Sequence, residues 1–291
     1  MKHFKFMTII LTMTVALFTY TSCSKDEEET NKIEEGTGAR LIKVIKDKNG
    51  NAVQLDEFGQ GSHIYKYYYD ASGKLNKMIE EIGGTLYKPT LVDSPFKITY
   101  NEKTKDGINA NWETEINLDT DANILSYTSK ETNKSESDFT QVDETVNFTY
   151  GYDNEIKMVK IEGKRTKNVN GSPETTQYNI TIEFTWEKNN IVKADVVPLI
   201  NNKEDRDEYK ISYSSSELLS NQMPFNLVKY GILGNYVYSQ QIEAFIPLIG
   251  FGKVPKNVPS YVNGKNAGAY LNSNGTIGSE NSCTYKYAST K

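Results

Sequence analysis

A hydrolytic triad needs a histidine, and this 291-residue chain has two. His3 lies in the N-terminal segment expected to be removed as a signal peptide, so His63 is the histidine left for chemistry. It follows Gly59-Gln60-Gly61-Ser62, beside a serine but outside any nucleophile-elbow pattern. The context predicts a plain exposed or packed histidine at the start of a Tyr-rich strand. The usual Cys/His zinc sites are excluded by count, since the chain expected after loss of its N-terminal signal keeps one histidine, and lipidation of Cys23 leaves Cys283 alone. Asp119-Thr120-Asp121-Ala122-Asn123 matches the opening of a calcium loop, but its sixth position is Ile124 and its twelfth Lys130. A hairpin turn is the expectation there. No Gly-rich phosphate cradle is present, and no cofactor is implied. The 38 acids offer carboxylate pairs of the kind glycoside hydrolysis uses, but none stands in a recognisable motif.

Two apolar groups are candidates for ligand contact. Tyr65, Tyr67 and Tyr69 share one strand face, with Tyr68 on the other. Such a row can bind sugar rings, and it can equally stabilise a sheet by cross-strand packing. Farther on, Glu217 to Phe251 is apolar and punctuated by Gly and Pro. Ile242, Phe245 and Ile246 fall at helical spacing, with Phe251 shortly after. A short amphipathic helix is predicted from about Gly234 to Ile246, stopped by Pro247. It is expected to cap the sheet or to wall an apolar pocket.

The elements that position these residues are strands. Tyr178 to Trp186 alternates apolar and polar residues strictly, turns at Glu187 to Asn190, and returns over Ile191 to Val197. The same unit recurs at Val146 to Ile161, at Tyr65 to Ile82, and more weakly at Trp112 to Asn123 and Leu41 to Gly50. Asn49-Gly50 is a strong hairpin signal, because Gly tolerates positive φ. The 20 tyrosines suit pleated, half-buried surfaces. Cys283 lies in an alternating run and reads as a buried strand cysteine. The expected fold is all-β, an antiparallel meander of repeated hairpins curling into a barrel or half-barrel, with the short C-terminal helix packed on it. Polar loops at Lys130 to Asp143 and Lys164 to Glu174 are where recognition would sit.

The first thirty residues set the compartment. Lys2 and Lys5 precede an apolar run from Phe6 to Phe18, the layout of a secretory signal. Tyr20-Thr21-Ser22-Cys23 resembles a bacterial lipobox, with Tyr20 where Leu is usual, which makes Cys23 the lipidation site. Lys25, Asp26, Glu27 and Glu28 resemble the surface-export signal of Bacteroidetes lipoproteins; the alternative is the periplasmic face. The expected organisation is a signal peptide over 1–22, a flexible tether over 23–38 and a single β-meander domain over 39–291. Removing residues 1–22, which carry two lysines and no acid, takes the formal charge from −5 to −7. That charge argues against nucleic-acid binding, which needs cations against phosphate. The expected partners are the membrane, through N-terminal acyl chains, and an outer-membrane protein.

Tyr67-Tyr68-Tyr69-Asp70-Ala71-Ser72-Gly73-Lys74-Leu75 and its echo Tyr150-Gly151-Tyr152-Asp153-Asn154-Glu155-Ile156 resemble the Tyr-Asp hairpin repeats of Bacteroidetes surface lipoproteins. Leu248 to Pro259 is similar to a segment before the last hairpin in one such family, known as a domain of unknown function with a porin-like fold. The resemblance implies a meander and no activity. The leading expectation is a non-enzymatic, surface-tethered binding or structural lipoprotein holding an apolar or lipid-like ligand. Second is glycan capture by exposed aromatics, and third a carboxylate-based hydrolase.

Overall fold

Period-two alternation puts one face of every run inward. In the strand Ser172–Glu187, Tyr178, Ile180, Ile182 and Phe184 are buried while Asn179, Glu183 and Thr185 are exposed. The computed structural model describes residues 42–93, 96–103, 109–134, 139–169, 171–234, 237 and 241–288. Its strands follow one another as antiparallel neighbours in two sheets, with a small separate hairpin of Ile45–Lys46 and Ala52–Val53. The larger sheet runs in spatial order Thr90–Asp93, Phe96–Lys103, Asn109–Leu118, Ile124–Lys134, Phe139–Tyr150, Ile156–Val169, Ser172–Glu187, Asn190–Ile200, Asp207–Glu217, Asn257–Val262 and Lys265–Asn266. Lys203–Glu204 pairs with Asn190–Ile200 off that path. The smaller sheet runs Ala269–Leu271, Ile277–Glu280, Cys283–Tyr287, Leu55–Gln60, His63–Tyr69, Leu75–Ile82 and Thr85–Tyr87.

The last strand therefore pairs with the first long one, Tyr285 opposite Phe58. The circuit is interrupted at two seams, between Thr85–Tyr87 and Thr90–Asp93 and between Lys265–Asn266 and Ala269–Leu271, so the barrel is not closed. This is the all-β meander that the alternation predicts.

In an up-and-down meander, alternate turns fall at the same end. The end holding turns 70–73, 119–123 and 151–155 is the lower one here. Five turns of the chain repeat one design, while Glu187–Asn190 at this end reverses through two residues of positive φ, Lys188 and Asn189. In Asp47–Asn51, Asp70–Lys74, Asp119–Asn123, Gly151–Glu155 and Asn272–Thr276, the fourth residue donates its N–H to the carbonyl of the first and has positive φ. The first residue donates to the carbonyl of the fifth, the three-residue loop with a bulge. Asp119 accepts the N–H groups of Asp121 at 2.9 Å and Asn123 at 2.8 Å. Asp47 and Asp70 do the same. The Asp119 carboxylate is thus engaged in its turn, as expected.

Each of these ends carries a second device. The Tyr69 hydroxyl donates to the Leu55 carbonyl at 2.7 Å, Tyr150 to Ile124 at 2.7 Å, Tyr213 to Ile191 at 2.9 Å and Tyr287 to Ile277 at 2.8 Å. Trp186 Nε1 donates to Ile156 at 2.9 Å. In every case the aromatic lies near or at the lower end of a descending strand, and the acceptor is the first or second residue of the preceding ascending strand. In every case the register also shifts immediately before the aromatic. A bulge interrupts the ladder, and a buried carbonyl then needs a donor from elsewhere.

The barrel is filled by the excursion between Asp207–Glu217 and Asn257–Val262. Phe225, Leu227, Val228, Ile232, Ile242, Phe245, Ile246, Leu248 and Phe251 are all buried. Phe225 meets Phe58 at 4.9 Å between ring centres, and Phe251 meets Phe148 at 5.8 Å. The helix expected over Gly234 to Ile246 is not continuous. Helical structure instead forms earlier, as an α turn at Phe225–Leu227 and a π turn at Val228–Ile232, and again as a 3₁₀ turn at Gln241–Ala244. Gly234, at φ +65°, ends the first of these, and the helical spacing of Ile242, Phe245 and Ile246 reflects burial on all sides. Lower down, the excursion is stitched to the turns. Gly250 N–H donates to Ala122 at 2.7 Å, Ile124 N–H to Gly250 at 2.9 Å and Lys253 N–H to Asn154 at 2.7 Å. At Gly252 a Cβ would lie 2.3 Å from the Asn154 carbonyl oxygen, so only glycine allows this approach.

Tyr150→Phe removes the donor to the Ile124 carbonyl and should lower stability by about 1–2 kcal/mol in urea denaturation. Tyr152→Ala, at a fully exposed ring next to the same turn, should stay within about 0.5 kcal/mol.

Candidate functional site: a polar pocket at the upper end

The inward face of the large sheet changes chemistry as it rises. One layer is apolar, with Ile116, Tyr127, Val146, Ile161 and Ile180 in register. The next holds Thr114, Ser129, Glu144, Gly163 and Tyr178. Glu144 is 1% exposed and accepts the Tyr178 hydroxyl at 3.0 Å and the Tyr127 hydroxyl at 3.4 Å. Gly163 lies between them in register, and a Cβ there would come within 2.6 Å of the Tyr178 hydroxyl. The glycine is the gap through which Tyr178 reaches Glu144. Above this layer, Trp112 stands opposite Glu131. The hairpin Ile156–Val169/Ser172–Glu187 continues for six more registered pairs past Gly163, about 20 Å at 3.3 Å per residue. The neighbouring strand Phe139–Tyr150 stays paired beside it as far as Thr140 opposite Lys167, so the large sheet rises as a wall.

Beneath that wall lies a pocket of about 430 Å³, lined by residues of both sheets and of the filling excursion. Gln60, Ser62, His63, Tyr65, Glu80 and Tyr87 come from the small sheet and its turns, and Ser282 from the last upper turn. Trp112 and Glu131 come from the large sheet, and Lys229, Glu243 and Ala244 from the excursion. A His–Glu hydrogen bond and a Lys–Glu ion pair line it. His63 Nδ1 lies 2.8 Å from Glu80 Oε1, and Lys229 Nζ 2.8 Å from Glu243 Oε1. Burial first, and then the charges of Glu80 and Glu243, hold the Tyr65 phenol above its ordinary pKa. Lys229 reaches the pocket from the π turn, a geometry that places one side chain out of the normal helical phase. A second depression, about 420 Å³ and open, lies on the large sheet between Asp143, Lys164 and Asn179.

The floor is anchored from below. The Tyr67 hydroxyl donates to the Ala244 carbonyl at 2.6 Å. Glu280, 3% exposed, accepts the N–H groups of Phe225 at 2.7 Å and Asn226 at 2.8 Å and the Tyr285 hydroxyl at 2.5 Å. It thereby fixes the start of the helical segment that carries Lys229. Burial pushes its pKa up to about 7, with the three donors pulling the other way. Cys283 is a free, buried strand cysteine, and burial pushes its thiol up to about 12, which makes it a poor nucleophile.

The sequence-derived candidates divide clearly. Tyr65, Tyr67 and Tyr69 face inward at 5%, 3% and 7% exposure, so they form no exposed platform. The ring left in water on that strand is Tyr68. Only Tyr65 of the three lines the pocket. Ile242, Phe245, Ile246 and Phe251 are core residues, and none of them lines it. They were expected to cap the sheet or to wall an apolar pocket; they fill the barrel as buried core. His63 is a packed histidine, hydrogen-bonded to Glu80 and lining the cavity. Cys23, Lys25, Asp26, Glu27 and Glu28 lie outside the described residues. Glu80, Trp112, Glu131, Lys229 and Glu243 were not singled out from sequence. A signal for two of them existed, since Glu80 shares a face with Met78 and Glu131 with Tyr127 and Ser129, charges on otherwise inward faces.

Because its native pKa lies above its unfolded value near 4.5, Glu280 contributes stability that is full below pH 4.5 and lost as pH rises through 7. Between pH 4.5 and 8 the wild type should lose about 3 kcal/mol more unfolding free energy than Glu280→Gln, read by urea denaturation at both pH values. Identical pH dependence in the two proteins would remove this role.

No protein-family model matches the chain, and no curated protein matches it. Among solved structures, a porin-like protein from Bacteroides vulgatus ATCC 8482 is similar at 12% identity and a TM-score of 0.42, over 81% of this chain and 93% of that one. Likeness at this level transfers no role.

Proposed function

We propose that this protein is a non-enzymatic recognition module, tethered to the outer membrane through a lipidated Cys23, that captures a small polar ligand at the upper end of a water-immersed barrel. The observation that carries the reading is the upper pocket, where an ion pair, a His–Glu hydrogen bond, a third carboxylate and three aromatic side chains converge. Its volume falls within the roughly 300–1,000 Å³ range of small-molecule sites. The polarity of the sheets supports a water-immersed barrel. The outward faces carry Lys160, Glu162, Glu183, Glu208, Lys210 and Lys286, all exposed. A lysine on a lipid-facing strand costs about 2–4 kcal/mol at the bilayer midplane, so these faces suit water. The lower end is stitched shut, which leaves the upper end to meet a ligand. In this reading the tether over 23–38 and the acidic run after Cys23 hold the barrel at the outer surface of the cell. The packed surroundings of Phe245 and Phe251 count against a lipid carrier.

Native mass spectrometry of the purified protein, followed by organic extraction, tests the polar-ligand reading. The expected result is no extractable lipid beyond the N-terminal acyl chains. A second, non-covalent lipid would overturn it. The tether is tested by Cys23→Ser, which should move the protein from the membrane fraction to the soluble one; a variant retained in the membrane would contradict lipid anchoring.

A further inference from the structure

We infer that the upper pocket takes a neutral saccharide, an inference that rests on the receptor reading above and deepens it. Charge decides against ionic ligands. A carboxylate or phosphate entering the pocket would meet Glu80, Glu131 and Glu243. An amine would meet Lys229, and Glu243 and Glu80 are already engaged at 2.8 Å by Lys229 and His63. Lys229 stands among three carboxylates, so a formal charge of either sign gains one contact and opposes another. An apolar ligand fares no better, because it would strip water from the Lys229–Glu243 ion pair and the His63–Glu80 hydrogen bond without replacing their hydration.

A neutral polyol meets neither penalty. Its hydroxyls donate to carboxylate oxygens, bonds stronger than those between neutral partners, and accept from Lys229. Gln60, Ser62 and Ser282 extend the same donor and acceptor set around the cavity. The three rings of Trp112, Tyr65 and Tyr87 add what a plain polyol cannot use, flat apolar faces beside the polar groups. A pyranose presents both surfaces at once, a C–H face and a rim of hydroxyls. The pocket is prepared for it, because Tyr67 fixes Ala244 from below and Glu280 fixes the segment bearing Lys229.

Isothermal titration of the full chain tests this with three probe sets: neutral oligosaccharides of glucose, galactose and mannose; uronic-acid oligosaccharides; and the amines choline and spermidine. The expected result is saturable binding to a member of the neutral set, weakened at least tenfold by Trp112→Ala and by the isosteric Glu131→Gln. Tyr270→Ala, at an exposed ring on a seam strand, should leave it unchanged. Glu131→Gln keeps the test open should Trp112→Ala fold poorly. Binding confined to uronates or amines would overturn the saccharide inference while leaving the receptor reading standing. Neutral binding unaffected by both pocket variants, or no binding by any set, would also overturn it. A non-covalent lipid in the extraction experiment would remove the receptor reading itself.

Discussion

The structure depends on a hydrogen bond made again and again at one end of the barrel, from the last aromatic of a descending strand to a carbonyl at the start of the ascending strand before it. A register shift just before each of these aromatics breaks the ladder. An aromatic side chain satisfies both requirements that follow. Its ring covers the buried Leu or Ile at the strand start, and its polar atom reaches that residue's carbonyl. Tyr69, Tyr150, Tyr213 and Tyr287 do this with a hydroxyl and Trp186 with an indole nitrogen. Phenylalanine would supply the ring and leave the carbonyl without that donor. This accounts for four of the chain's 20 tyrosines, each near the lower end of its strand.

That lower-end order sets the polarity of the whole molecule. The excursion from 218 to 256 returns through the turns at Ala122 and Asn154 and closes the lower end with backbone hydrogen bonds. Apolar side chains fill the barrel as far as the layer holding Ile116 and Ile180. Above it, Thr114, Ser129, Glu144 and Tyr178 satisfy one another, so the interior becomes polar before it reaches solvent. The pocket is the next step of the same gradient. A barrel with apolar contents, a charged outside and one polar mouth is the reverse of a transmembrane pore, whose outer band must be apolar.

Much of this was legible in the sequence. Strict alternation at Tyr178 to Trp186 gave the strand, its inward face and its turn, because a period of two admits one arrangement against a core. The Asp-led turns were legible because Asp119 and Asp70 hydrogen-bond locally. The burial of Ile242, Phe245 and Ile246 was visible in their spacing, but their role was not. A segment surrounded by core on every side shows helical spacing without needing a helix. The pocket was the least legible part. Glu80 and Lys229 are 149 residues apart, and only the curl of two sheets around the excursion brings them to one cavity. His63 read as ordinary because its partner, Glu80, lies on the next strand, seventeen residues on. The tyrosine row was placed on the correct single face, yet with Tyr68 opposite it both faces of this strand carry aromatics, so its pattern did not say which meets water.

The central claim is a barrel sealed below and receptive above, and amide hydrogen exchange with and without a saturating neutral oligosaccharide tests it most directly. The account predicts that the ligand slows exchange in the segments around 60–65, 80–82, 111–113, 130–132, 228–230 and 242–244, while the stitched segment 248–253 is already slow and does not change. Protection appearing instead at 245–253, or on the outward face around 162–164, would contradict it.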